Sequence, residues 1–241
     1  MAIQKIYKTP DEVVADISDG ATIMVGGFGH AIDRPQTLIK ALANKGVKNL
    51  TLISNSAGVA GKLGIGSLGG KPFIDEDILI ENGQVRKVIC SVPASLVMSK
   101  PNAFERLYRE GKIELEYVPQ GTLAERIRAG GAGLGGFYTP TGVGTLIERD
   151  KEKRTIDGKE MILEFALRAD YALIRAYQAD TMGNLIYKGI MRSFNAIMPQ
   201  AAKITIVEVE EIVDMGKLDP EVIITPGLFV DRIVKIPREE G

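Results

Sequence analysis

Short apolar runs alternate along the chain with amphipathic segments of helical spacing. Ala21-Thr22-Ile23-Met24-Val25 has the near-continuous apolar character of a strand buried on both faces. Pro35 to Leu42 then carries apolar residues at helical spacing and is closed by Gly46, and strand-like Leu50-Thr51-Leu52-Ile53 follows at once. The cycle repeats through Val88-Ile89, a helix near residues 103–108, a strand over Ile113 to Val118 and a helix over 122–128, where Thr122 and Glu125 have capping-box spacing. The last third adds a strand over Tyr171 to Arg175, a Gly183-Asn184 turn before Leu185-Ile186-Tyr187, a helix near residues 195–202 and a strand over Ile204 to Val207. Strands alternating with helices predict an α/β fold, and the Gly183-Asn184 turn predicts one antiparallel excursion. The expected architecture is an open, mixed, mostly parallel sheet flanked by helices. The charged stretch from Ile147 to Lys159 contains Asp157-Gly158 and suits a surface hairpin or a flexible crossover. No Pro- or Ser-rich linker divides the chain, so residues 1–241 are expected to form a single domain.

One segment breaks this rhythm. Between Arg128 and Thr145, glycine occupies positions 130, 131, 133, 135, 136, 142 and 144, a density expected of a loop whose backbone approaches another group closely. Gly131-x-Gly133-x-x-Gly136 has the spacing of a dinucleotide fingerprint, but it follows a helix rather than a strand, and Pro140 and Gly142 oppose the helix that should come next.

Composition narrows the functional classes. A hydrophobic content of 45% over 241 residues supports a sizeable core, and a net charge of -1 gives no global basic field for nucleic acid or anionic membranes. The lone Cys90 sits in a strand-like setting that favours a packed thiol over a nucleophile. The first residues lack the apolar centre of a signal peptide and no apolar run reaches the ~20 residues of a membrane span, so a cytoplasmic location is expected.

Candidate chemistry gathers in turns. Gly26-Gly27-Phe28-Gly29 leaves the first predicted strand where open α/β sheets place their ligand crevice; it reads either as backbone shaped to meet an oxyanion or thioester, or as a tight strand-to-helix turn. Ser54-Asn55-Ser56-Ala57-Gly58 and Pro119-Gln120-Gly121-Thr122 stand at equivalent strand ends, and three such turns are expected to converge on a site. His30 is the only histidine, which leaves one possible base for a catalytic triad and excludes a multi-histidine metal site. It reads as substrate-facing or as an ordinary loop residue. No metal site and no obvious nucleophile stand out.

Asp19-Gly20-Ala21-Thr22-Ile23-Met24-Val25-Gly26-Gly27-Phe28, Ser54-Asn55, the block from Pro119 through Thr145, Arg192-Ser193-Phe194-Asn195 and Val207-Glu208-Val209-Glu210 together resemble the A (alpha) subunit of family I CoA-transferases, of the 3-oxoacid type. The resemblance spans nearly the whole chain. It implies an exchange through an enzyme-bound glutamyl-CoA thioester, with the glutamate in a Ser-Glu-Asn-Gly motif of a separate B subunit. Glu81-Asn82-Gly83 imitates that motif, but Ile80 stands in place of the serine and an Asn-Gly turn explains the spacing. The resemblance further implies that Gln120 helps form the oxyanion hole, Asn55 contacts or orients the substrate carboxylate, and Gly26, Gly27 and Phe28 close on the site. The glycine loop, with Gly133 and Gly135, is expected at the acyl pocket or subunit interface. Coenzyme A enters as substrate rather than as a resident cofactor, and an α2β2 or larger assembly is expected. A hydrolase or decarboxylase on the same scaffold, or a non-catalytic ligand-binding module, are the alternatives.

This chain departs from the family pattern in its first loop, which runs from Gly26 to Pro35, one residue longer than Gly-Gly-Phe-x-x-x-Gly-x-Pro and without its later glycine. The connection from Gly66 to Asp77 is also longer. The altered loop points to His30 or Arg34 as ligands for a polar or second carboxylate group on the acid.

Overall fold

Burial of the apolar runs on both faces produces a central sheet with helices above and below. The computed structural model describes residues 4–59, 61, 67–95 and 100–237. Their elements are β1 (Ile6–Tyr7), α1 (Pro10–Val13), β2 (Thr22–Val25), α2 (Gln36–Lys45), β3 (Leu50–Ser54), α3 (Asp77–Glu81), β4 (Val85–Cys90), α4 (Ala103–Arg109), β5 (Glu114–Tyr117), α5 (Gln120–Gly131), β6 (Gly136–Thr139), β7 (Lys153–Ile156), β8 (Lys159–Phe165), β9 (Ala169–Asp180), β10 (Leu185–Ile186), β11 (Ala202–Val213) and β12 (Arg232–Lys235).

The main sheet runs β1-β12-β11-β9-β2-β3-β4-β5, with β10 on β9. Every neighbouring pair on that path is parallel, and β10 pairs antiparallel with β9 after the Gly183-Asn184 turn, which makes the sheet mixed as expected. Alternate residues of each strand enter different cores. Ile23, Val25, Leu52 and Val88 join α1 to α4 on one face, whereas Met24, Ile53 and Ile89 meet Leu123 and Ile127 of α5 on the other. Cys90 is wholly buried at the end of β4, and burial pushes its thiol up to about 12, so it packs and does not react. Among the described residues, no helix is long and apolar enough to cross a membrane.

Three local expectations are corrected. The Thr122/Glu125 capping box does not form: α5 begins two residues earlier behind Pro119, Thr122 is buried, and Glu125 pairs instead with Arg128 at 2.6 Å. Residues 195–202 form two short 3-10 turns, Phe194–Ala196 and Met198–Ala201, because Pro199 has no amide hydrogen to continue an α-helix. The glycine-rich stretch is not one loop. Gly130 and Gly131 lie within α5 and Gly136 opens β6. They are glycines for lack of room: a Cβ would fall 1.9 Å from the Leu167 carbonyl oxygen at Gly130, 2.7 Å from Gln200 Cβ at Gly131 and 2.5 Å from the Glu164 carbonyl oxygen at Gly136. The charged stretch after it is the expected hairpin, β7 and β8 joined at Asp157 (φ 50°) and Gly158 (φ 72°) beside β6.

Candidate active site

The chain order reverses at β2. From there β3, β4 and β5 proceed to one side, whereas β9, β11 and β12 fill the other, so the crevice beyond the carboxyl ends of β2 and β9 is the topological switch point. The first loop leaves β2 there. Gly26 N–H donates to the Leu173 carbonyl at 2.9 Å, and Gly27 adopts φ +103°, a conformation open to glycine at no steric cost. Asp33, fully buried, accepts hydrogen bonds from Phe28 N–H at 2.6 Å and His30 N–H at 3.1 Å and so folds the loop back on itself.

Asn195 ties this loop to the sheet. Its Oδ1 accepts from Arg175 N–H of β9 at 3.0 Å, and its Nδ2 donates to the carbonyls of Asp33 and Met191 at 2.8 Å each. Gly26 must be glycine because a Cβ would lie 1.9 Å from Asn195 Oδ1.

The expected convergence of turns is observed. Asn55, buried after β3, donates from Nδ2 to the Phe28 carbonyl at 3.0 Å, while its Oδ1 has no hydrogen-bond partner among the described residues. Phe28 stacks on Phe194 with ring centroids 6.4 Å apart and planes 15° apart. These two rings, Ser193, Ile197, Gln120, Gly121 and Ala124 line an open cleft of 410 Å³. Gln120 is exposed at the first position of α5, and among the described residues no side chain caps that helix. The free amides and positive dipole end of α5 therefore meet the cleft together with the Gln120 carboxamide, an arrangement suited to developing negative charge. Ser193 and Phe194 belong to the strings that carry the family resemblance, but nothing in their local pattern assigned them to a wall of the cleft; only the packing of their turn against β9 and α5 does so.

Other candidates lie elsewhere. His30 is exposed on the first loop. Arg34 is 1% exposed and donates to Glu76 and, at 2.8 Å, to Ser56 Oγ, so its charge is spent inside the fold instead of on an acid. Glu76 ends the longer connection, whose start at Gly66 lies outside the described residues. Gly133 and Gly135 do not border the cleft: they follow the carboxyl end of α5, a helix of 12 residues that begins at Gln120 and is about 18 Å long. Asn82-Gly83 turns into the amino end of β4, away from the crevice, and Glu81 pairs with Arg106 at 3.2 Å.

Glu208 of β11, fully buried, was likewise without an assigned role. Its Oε2 accepts from Thr37 and Leu38 N–H in the first turn of α2 at 2.8 and 3.0 Å, and Arg175 Nη1 stands 3.6 Å from Oε1. Burial pushes its carboxyl up to about 7 against the pull of Arg175 and the two amides. The folded protein thus keeps a proton that the unfolded chain releases above its ordinary value of 4.5. That contribution to stability is complete below this value and is lost as pH rises through about 7. Denaturation of Glu208→Gln alongside the parent is expected to show the variant gaining about 2 kcal/mol relative to the parent between pH 5 and pH 8. A difference independent of pH would mean that Glu208 is ionised throughout.

The model of the coenzyme A transferase family matches residues 7–236. The chain is 49% identical over 234 residues to the A subunit of 3-oxoadipate CoA-transferase from Pseudomonas putida, an alignment covering 97% of this chain and 94% of that one. It is 45% identical over 230 residues to the A subunit of the probable succinyl-CoA:3-ketoacid coenzyme A transferase from Bacillus subtilis (strain 168), with 95% and 89% covered. The acyl-CoA transferase of E. coli O157:H7, solved as a thioester complex with CoA, shares the fold with a TM-score of 0.80 at 24% identity, over 99% of this chain and 48% of that one. With a family model matching nearly its full length and relatives close to half identical, the chain belongs to the coenzyme A transferase family.

Proposed function

We propose that this chain is the A subunit of a heteromeric CoA-transferase that moves CoA between an acyl-CoA and a free short-chain or 3-oxo carboxylic acid. The observation that carries this reading is the cleft itself. It offers the Gln120 carboxamide, an uncapped helix N-terminus and apolar walls, yet no carboxylate lines it among the described residues. Such a site suits binding an acyl group and stabilising an oxyanion, with the nucleophilic carboxylate supplied by another chain. The relatives in Pseudomonas and Bacillus are each named as the A subunit of their enzyme, which agrees with a separate B subunit.

In this mechanism the partner's glutamate attacks the thioester carbonyl, and the carbonyl oxygen becomes an oxyanion facing Gln120 and the first turn of α5. Expulsion of the CoA thiolate leaves a mixed anhydride. The thiolate then attacks the glutamyl carbonyl, releasing the first acid and leaving CoA on the glutamate; the second acid reverses these steps. Each attack uses a carboxylate or thiolate that is already ionised, so the chemistry needs no general base from this chain. Phe28, Phe194 and Ile197 shelter the acyl chain from water, while Asn55 holds the Phe28 carbonyl and hence the loop. The assembly is proposed as α2β2 or larger, in the cytoplasm, with coenzyme A as substrate.

Co-expression with the product of the neighbouring reading frame tests this. CoA exchange from acetyl-CoA or succinyl-CoA to acetoacetate or butyrate is expected in the complex and absent from either chain alone. Thioester loss without transfer would instead favour a hydrolase, and binding without turnover a ligand-binding module.

A further inference from the structure

The two aromatic rings of the cleft are held by one buried carboxamide. Phe28 is 40% exposed, so packing alone does not fix it, and its place is set by backbone hydrogen bonds. Its N–H donates to Asp33 Oδ2 at 2.6 Å and its carbonyl accepts from Asn55 Nδ2 at 3.0 Å. Asp33 is anchored in turn by Asn195, whose Nδ2 donates to the Asp33 carbonyl at 2.8 Å. The second ring, Phe194, precedes Asn195 in the chain and is joined to it by a peptide bond.

Asn195 is itself held from several sides. It is wholly buried, and both of its amide protons are used, on the carbonyls of Asp33 and Met191, while Oδ1 accepts from Arg175 N–H of β9 at 3.0 Å. Its backbone carbonyl accepts from the buried Tyr187 hydroxyl at 3.2 Å, and Thr225 Oγ1 lies 2.7 Å from that hydroxyl. Backbone closes the remaining side, since a Cβ at Gly26 would fall 1.9 Å from Oδ1. A carboxamide with three satisfied bonds and no spare room has one position. Both rings take theirs from it, Phe28 through Asp33 and Phe194 through the chain.

Building on the proposed transferase reading, we infer that Asn195 is a positioning residue: it sets Phe28 against Phe194, and thereby the fit of the acyl group in the cleft, without lining the cleft itself. Apolar walls hold the acid equally in the ground state and the transition state, so loss of their alignment is felt in KM rather than in kcat.

The test is a double-mutant cycle in the assembled complex, with acetyl-CoA as donor and acetoacetate as acceptor. Asn195→Ser and Phe28→Ala are each expected to raise KM for the acid about tenfold with kcat little changed, and the double variant to raise it no further than either alone. A double variant whose KM rises by the product of the two, about 100-fold, overturns the inference. So does an Asn195→Ser complex that lowers kcat and leaves KM in place, the mark of a chain that is only partly folded. If Asn195→Ser does not assemble, Asp33→Asn takes its place in the cycle: it keeps the size of the side chain and weakens only the last link to Phe28, with the same non-additive rise in KM expected and an additive one overturning the inference. A parent complex that transfers CoA to neither acetoacetate nor butyrate overturns the transferase reading itself, whereas transfer by the parent with additive losses overturns this inference alone.

Discussion

In the assembled enzyme, Gln120→Ala is expected to slow CoA transfer about 100-fold, the scale found on removing one oxyanion donor from a preorganised site. Gln120 lies at the first position of α5 and lines the cleft beside Phe28 and Ser193. In the proposed mechanism its carboxamide donates to an oxygen that bears full negative charge only as the tetrahedral adduct forms, so the loss is expected in kcat, with little change in KM. Alanine is a strong helix former and Gln120 is exposed, so the fold and the heteromeric complex should survive. Steady-state kinetics on the complex, with size-exclusion chromatography to confirm assembly, decides the matter. A variant that turns over as fast as its parent removes Gln120 from the oxyanion role.

Gly130→Ala is expected to destabilise the protein by about 3 to 4 kcal/mol, lowering the melting temperature by roughly 10 °C. Alanine ordinarily stabilises a helix interior relative to glycine by about 1 kcal/mol, yet here the added methyl group would sit 1.9 Å from the Leu167 carbonyl oxygen. That oxygen belongs to backbone held on two sides: Leu167 N–H donates to the Arg126 carbonyl at 2.8 Å, and Arg168 Nε donates to the Gly130 carbonyl at 3.2 Å. Neither segment can yield without breaking the junction of α5 with the connection between β8 and β9. Gly121→Ala in the same helix meets nothing within 4 Å and serves as the contrast. Thermal denaturation should find it at least as stable as the parent, and equal melting temperatures for the two variants would refute the steric account.

These two residues show how far local reading carries. Gln120 was legible because a turn after an apolar strand, at the head of a helical pattern, places its side chain at a strand end, and the surrounding string resembled a known family. Gly130 was legible only as a glycine. Its conformation is helical, and its need for glycine comes from Leu167, 37 positions away in the sequence. The first loop divides the same way. The positive φ of Gly27 belongs to the turn itself, whereas Gly26 is glycine because the Asn195 side chain, distant in sequence, occupies the space of its Cβ.

By itself the sequence determined the alternation of strands and helices, the mostly parallel sheet, a turn at Asp157-Gly158 and the family, because each is written in side-chain periodicity, turn chemistry or contiguous strings. Tertiary structure decided the placement of β9 beside β2, which creates the crevice, and the role of each charged group. Arg34 and Arg192 are indistinguishable as residues in polar loops. One is enclosed by Glu76 and Ser56 from other segments, the other is left in solvent at the end of the 189–192 turn. Burial, and with it the raised carboxyl of Glu208, is a sum over neighbours distant in sequence, and no local pattern contains that sum.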